Sequence, residues 1–152
     1  MRLNHLLSLS LFLSFAPFVS AMTESFVCQA IDKNQLKSQL RILFEDERLK
    51  SFLYQNDILR NDDLDGPSCT VIAERGDQWT KWHDKKETTV VSFAEREHFG
   101  RSVTPKIVVV NSLHSVKISM DLVAAHAAFC GAGAAYASSI RYDKRSKKCR
   151  FD

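Results

Sequence analysis

The sequence predicts a mainly β chain, a barrel- or sandwich-like antiparallel meander with one or two short helices, stabilised by disulfides. Three observations predict it. Short runs rich in Val, Ile, Thr and aromatic residues recur along the chain, and turn-forming residues separate them. Four cysteines (Cys28, Cys69, Cys130 and Cys149) follow an amino-terminal export signal, and an even cysteine count in an exported chain reads as a disulfide framework.

That signal occupies residues 1–21. Arg2 supplies the positive start, Leu6 to Val19 the apolar run, and Val19 and Ala21 the small-residue pattern around Ser20 that a signal peptidase reads. Crossing a bilayer takes about 20 consecutive apolar residues, so this shorter, Ser-interrupted run predicts cleavage and no stable membrane anchor. The mature chain is expected to begin at about Met22, with residues 22–152 forming a single β-rich globular domain in the bacterial periplasm or outside the cell.

Phe26, Cys28 and Ala30 alternate with Val27, Gln29 and Ile31, which suits a first strand, and Asp32 to Asn34 then reads as a turn. From Leu36 to Gln55 the apolar positions fit a helical stripe through Leu36, Leu40, Leu43 and Phe44 or a strand through Leu40, Ile42 and Phe44. The acidic run Glu45, Asp46 and Glu47 favours a hairpin with a polar tip before Leu49 to Tyr54. Asn56 to Ser68, with its aspartates and Gly66-Pro67, is a loop. Cys69 to Glu74, Gln78 to His83, Thr88 to Phe93, Lys106 to Val110 and Val116 to Met120 read as successive strands of a meander. Asp121 is placed to cap a short helix over Leu122 to Phe129, which Gly131 would end. Ser139 to Tyr142 and Lys148 to Phe151 form a last strand pair around a basic turn.

Four cysteines allow three connectivities. Cys28–Cys69 with Cys130–Cys149 is the expected one, because each pair then brackets its own half of the chain. No Cys-x-x-Cys or Cys-x-x-His spacing occurs, so no metal site is expected from the cysteines.

The chain carries 21 Lys plus Arg against 18 Asp plus Glu, and a net charge of +3 is too small to argue for nucleic acid. Acid gathers at Asp57, Asp62, Asp63 and Asp65, and base at Arg141, Lys144, Arg145, Lys147, Lys148 and Arg150. Asn61 to Gly66 resembles the first half of a calcium loop, but the twelfth position, which should supply a bidentate Glu, is Ile72. Gly131-Ala132-Gly133, followed by Ala134 and Ala135, begins like a dinucleotide fingerprint without the second strand and distal acid that would complete it, so no cofactor is expected. His83, His98, His114 and His126 are scattered, with no metal-ligand spacing, and no Gly-x-Ser-x-Gly elbow is present.

No nucleophile, base and oxyanion donor assemble, so no catalytic residue is expected and a binding role follows. The expectation is an inhibitor or immunity-type protein that neutralises a cell-wall hydrolase or toxin by loop insertion. Asp62, Asp63 and Asp65 are its candidate contacts, with whichever of Trp79 and Trp82 is exposed. The competing readings are a secreted effector or hydrolase using His114 and His126, and an envelope structural protein.

Overall fold

The computed structural model describes residues 21–31, 35–58, 68–98, 100–121, 124, 128–130, 134 and 136–152. In the first half of the chain, β1 (Thr23–Ile31), β2 (Leu36–Glu45), β3 (Arg48–Ile58) and β4 (Ser68–Glu74) form a four-stranded antiparallel sheet in chain order. A second sheet of six strands follows, ordered β12-β11-β10-β9-β6-β5. It contains β5 (Thr80–Lys85), β6 (Thr88–Phe93), β9 (Lys106–Asn111), β10 (Ser115–Met120), β11 (Ser139–Asp143) and β12 (Lys148–Phe151). Between β6 and β9 a small two-stranded ribbon, β7 (Arg96–His98) with β8 (Arg101–Val103), interrupts the meander. Its strands are short and almost wholly polar, which leaves no apolar alternation to read in the sequence.

The β2–β3 hairpin is resolved in favour of strand by two features. Ser38, Leu40, Ile42 and Phe44 are all buried, a period of two, and Asp46 and Glu47 both take positive φ (49° and 63°), as a two-residue hairpin turn of matching twist requires. The register slips at Leu43/Phe44, where Leu43 pairs with Ser51 and Phe44 with Leu49. Lys50 is the extra residue of this bulge, which lets Leu49 and Phe52, an odd spacing apart, both face the core.

The two sheets face each other across one core. Leu40, Phe44, Phe52, Tyr54 and Val71 come from the first, and Val91, Val109, Ile118 and Ile140 from the second. Phe26 packs on Tyr142 at 4.8 Å between ring centres, and Tyr54 stacks on Phe151 at 6.3 Å. At the first seam β1 lies beside β12, joined by Cys28–Cys149 with Cα atoms 6.1 Å apart. A second bridge, Cys69–Cys130, ties β4 to the segment before β11 (Cα–Cα 4.0 Å).

This pairing corrects the expected Cys28–Cys69 and Cys130–Cys149. Cys28 lies on β1 and Cys69 on β4, opposite edges of one sheet, with β2 and β3 between them. Three strand spacings separate them by roughly 14 Å, twice the reach of a disulfide. A meander carried round two sheets brings its last strand back to its first, so the bridge joins the two ends of the domain. Strand β5 also starts two residues later than expected, because Gln78 and Trp79 belong to the preceding turn. Ala124 N–H donates to Asp121 Oδ1 (3.1 Å), the expected cap, and Ala124, Ala128 and Phe129 are helical. Asp32 to Asn34 and the glycines at 131 and 133 lie outside the described residues.

Candidate partner-binding site

The second seam, between β4 and β5, is crossed by a tight turn over residues 75–79, and its local chemistry begins with Gly76, whose φ of +101° disfavours any side chain. Asp77 then organises the rest of the turn. Its Oδ1 accepts from Trp79 N–H (2.9 Å), and its carbonyl accepts from Thr80 N–H (3.2 Å) and from the Thr80 hydroxyl (3.2 Å). An aspartate that bonds the backbone two residues on closes a turn without help from either sheet.

Arg75 fastens this turn to both layers. Its Nε donates to the Leu49 carbonyl (2.9 Å) in the first sheet, Nη2 pairs with Asp84 (2.9 Å) in the second, and the guanidinium lies 4.8 Å from the centre of the Trp82 ring. Burial alone would raise the Asp84 carboxyl. Hydrogen bonds from Arg75 and Thr89 and the positive charges of Arg75 and Arg48 overcome that and hold it below the usual carboxylate range.

The two tryptophans part here. Trp82 faces inward, half-buried against the core, with Nε1–H donating to Thr80 Oγ1 (2.8 Å). Trp79 sits at the tip of the turn, 65% exposed. Their different environments arise from the turn, since only Trp82 is on the strand. An indole held outward by a fixed backbone offers a large apolar face at small entropic cost, as an interface anchor does. Arg75 and Asp84 escaped the sequence reading, because an Arg before a Gly-Asp turn has no spacing that announces its partner.

The acidic candidates Asp62, Asp63 and Asp65 lie outside the described residues, in the connection between Ile58 of β3 and Ser68 of β4. Among the described residues, Asn56 near the end of β3 lines a shallow cleft with Ala30, Ser38, Tyr136 and Phe151. Along the chain the acidic residues precede β4, and Trp79 follows it. His83 is exposed on β5, His98 is on β7, and His114 is exposed in the β9–β10 turn; His126 lies outside the described residues. Among the described residues no three His, Cys, Asp or Glu side chains gather as a metal site would need. No described helix is long and apolar enough to cross a membrane, and two bridges are the mark of a chain that folds in an oxidising, exported environment. Comparison with protein-family models, with curated proteins and with solved structures finds no match for this chain.

Proposed function

We propose that this is an exported binding protein of the inhibitor or immunity type, which neutralises a cell-wall hydrolase or a toxin by presenting loops from a disulfide-closed β-sandwich. The observation that carries the reading is Trp79, exposed on a turn that Asp77 and Arg75 hold in place. Large exposed aromatics on rigid turns act as anchors, and most of an interface's energy comes from a few such residues. The acid-rich β3–β4 connection supplies a second element, one that speeds encounter with a basic partner.

Cleavage after Ala21 is supported by the surroundings of Met22. Its backbone nitrogen lies 3.0 Å from Asp46 Oδ1, and its carbonyl accepts from Asp46 N–H at 2.9 Å. In the cleaved chain that nitrogen is an α-ammonium facing a carboxylate, an arrangement that favours the processed form.

The test uses immobilised mature protein and the periplasmic and culture-supernatant fractions of the source organism. Wild type retains one protein in stoichiometric amount, and Trp79→Ala weakens that complex by roughly 2 kcal/mol or more. The same substitution changes unfolding free energy by no more than about 0.5 kcal/mol, because the side chain touches little of the core. Equal retention by wild type and Trp79→Ala removes Trp79 as the anchor, and failure to retain any protein removes the binding reading.

A further inference from the structure

The outer face of the six-stranded sheet collects charge that the linear sequence disperses. In strands β10, β11 and β12 cations alternate with core residues: Lys117 stands between buried Val116 and Ile118, Arg141 between Ile140 and Tyr142, and Arg150 between Cys149 and Phe151. The register puts these three side by side, since Arg150 pairs with Arg141 and Arg141 with Lys117. The row continues through Val110 and Thr88 to Lys85 on the far strand. Lys106 and Lys81 flank that end on the same face, and Lys148 flanks the first. All of these cations are exposed.

Two carboxylates, Asp152 and Asp143, approach the cluster and offset part of it, and the cations remain in excess. Asp152 pairs with Arg150 (2.7 Å), and Asp143 is held below the usual carboxylate range by the Ser146 backbone and hydroxyl, with a smaller contribution from the Arg141 charge. The other sheet's outer face is different: Lys37, Arg41 and Lys50 there are matched by Glu45, Asp57 and Glu74. The sandwich is thus polarised, with one balanced face and one cationic face.

Like charges directly opposite on neighbouring strands destabilise a sheet. Arg141 faces a cation on both sides, so the free protein carries a cost that a bound polyanion removes. Between the cationic ends runs a row of Ser139, Ser119, Val108 and Val90, with hydroxyls exposed or half-buried and valines half-buried. No aliphatic side chain of the row protrudes to enter a bilayer, and the exposed ring that ends it on β5, His83 opposite Val90, is not the large aromatic of a protein hot spot. Hydroxyls interleaved with cations suit a chain that carries both hydroxyl and anionic groups.

We infer that the outer face of the six-stranded sheet binds an anionic polysaccharide, with Lys117, Arg141 and Arg150 as the principal contacts to its sulfate, phosphate or carboxylate groups. This goes beyond the protein partner proposed for the Trp79 turn and rests on different residues. Six strands at about 4.8 Å spacing give a track of roughly 24 Å from β12 to β5, enough for several sugar units.

The probe is heparin, titrated into the mature protein, with phosphatidylglycerol vesicles as the bilayer alternative. Binding to heparin is expected, weakening steeply as salt rises. The triple variant Lys117→Gln/Arg141→Gln/Arg150→Gln lowers affinity by about tenfold or more near 0.1 M salt, as loss of several counterion-releasing contacts requires. The charge-matched control on the other sheet, Lys37→Gln/Arg41→Gln/Lys50→Gln, changes it by less than about twofold, because that face makes no such contacts. Lys85→Gln/Lys106→Gln, on β5 and β9 beyond the triple-variant strands, weakens binding in the same direction and serves if the triple variant fails to fold. Equal losses in the two triple variants, absence of heparin binding, or tighter binding to vesicles than to heparin overturns the inference.

Discussion

Replacing Cys28 and Cys149 together with Ser lowers the unfolding free energy by about 4–5 kcal/mol, and the midpoint of thermal unfolding falls by roughly 10–20 °C. The size follows from the span of the bridge. Its cysteines are 121 residues apart, so the bond restrains nearly the whole mature chain in the unfolded state. A bridge over the short Cys130 to Cys149 segment would contribute about 3 kcal/mol on the same reasoning. The native state gains as well, because β1 and β12 are edge strands of different sheets and the bridge fastens that seam beside the Phe26–Tyr142 contact. Denaturant unfolding of the two proteins, both without reductant, measures the difference. Both cysteines must be changed, since a lone thiol would attack the remaining bridge. A loss below about 1 kcal/mol would mean that the seam does not depend on the bond.

Tyr54→Phe destabilises the protein near neutral pH by about 1–3 kcal/mol, and this deficit shrinks in alkali. Tyr54 is fully buried on β3, and its hydroxyl accepts a hydrogen bond from Ala137 N–H (2.8 Å), with Ser38 and Asn56 also in its hydrogen-bonding network. Removing the hydroxyl strands a buried amide, which costs more than an average hydrogen bond supplies. Burial pushes the Tyr54 hydroxyl up from 10.0 to about 12. Because the folded value lies above the unfolded one, the folded state keeps its proton where the unfolded state loses it. The resulting stability is present in full below pH 10 and is lost as pH rises toward 12, by about 2–3 kcal/mol in all. Phenylalanine cannot ionise, so the variant escapes that loss. Tyr136 and Tyr142 are raised by burial too, but they are common to both proteins and cancel in the comparison. Urea unfolding at about pH 8 and about pH 11.5 should show the gap closing, whereas a constant gap would contradict the burial of an ionisable hydroxyl at this site.

Period-two alternation made most of the fold legible. Thr88–Phe93 and Lys148–Phe151 have the limits that their composition predicts, and the Asp46-Glu47 tip falls where three consecutive acids interrupt the pattern. Besides the short polar β7–β8 ribbon, three things were hidden, each for a physical reason. Disulfide partners depend on which strands become edges, a property of the whole sheet and not of spacing along the chain, so Cys28 finds Cys149 and not Cys69. The Arg75–Asp84 pair joins a turn to a strand across the seam, and nothing in either segment alone indicates the other. The cationic face consists of single charges separated by core residues. Only the register of β10, β11 and β12 lines up Lys117, Arg141 and Arg150.

Charge accordingly has two distributions in this molecule. Along the chain it looks dipolar, acid near residues 57–65 and base after residue 141. In the sandwich the base spreads over one sheet face, and lysines from the middle of the sequence join it. The aromatic turn at one seam and the cationic face on one sheet use different residues, so substitutions can separate the two proposed contacts. Rigidity from the two bridges serves both, because an anchor and a charge row are effective only when held in place before binding.

Non-reducing peptide mapping of the protein recovered from its exported fraction tests the central claim, an exported sandwich locked end to end, most directly. The expected result is an amino terminus at Met22, no free thiol, and crosslinked peptides joining Cys28 to Cys149 and Cys69 to Cys130. A peptide joining Cys28 to Cys69, or free thiols with the leader still attached, would contradict it.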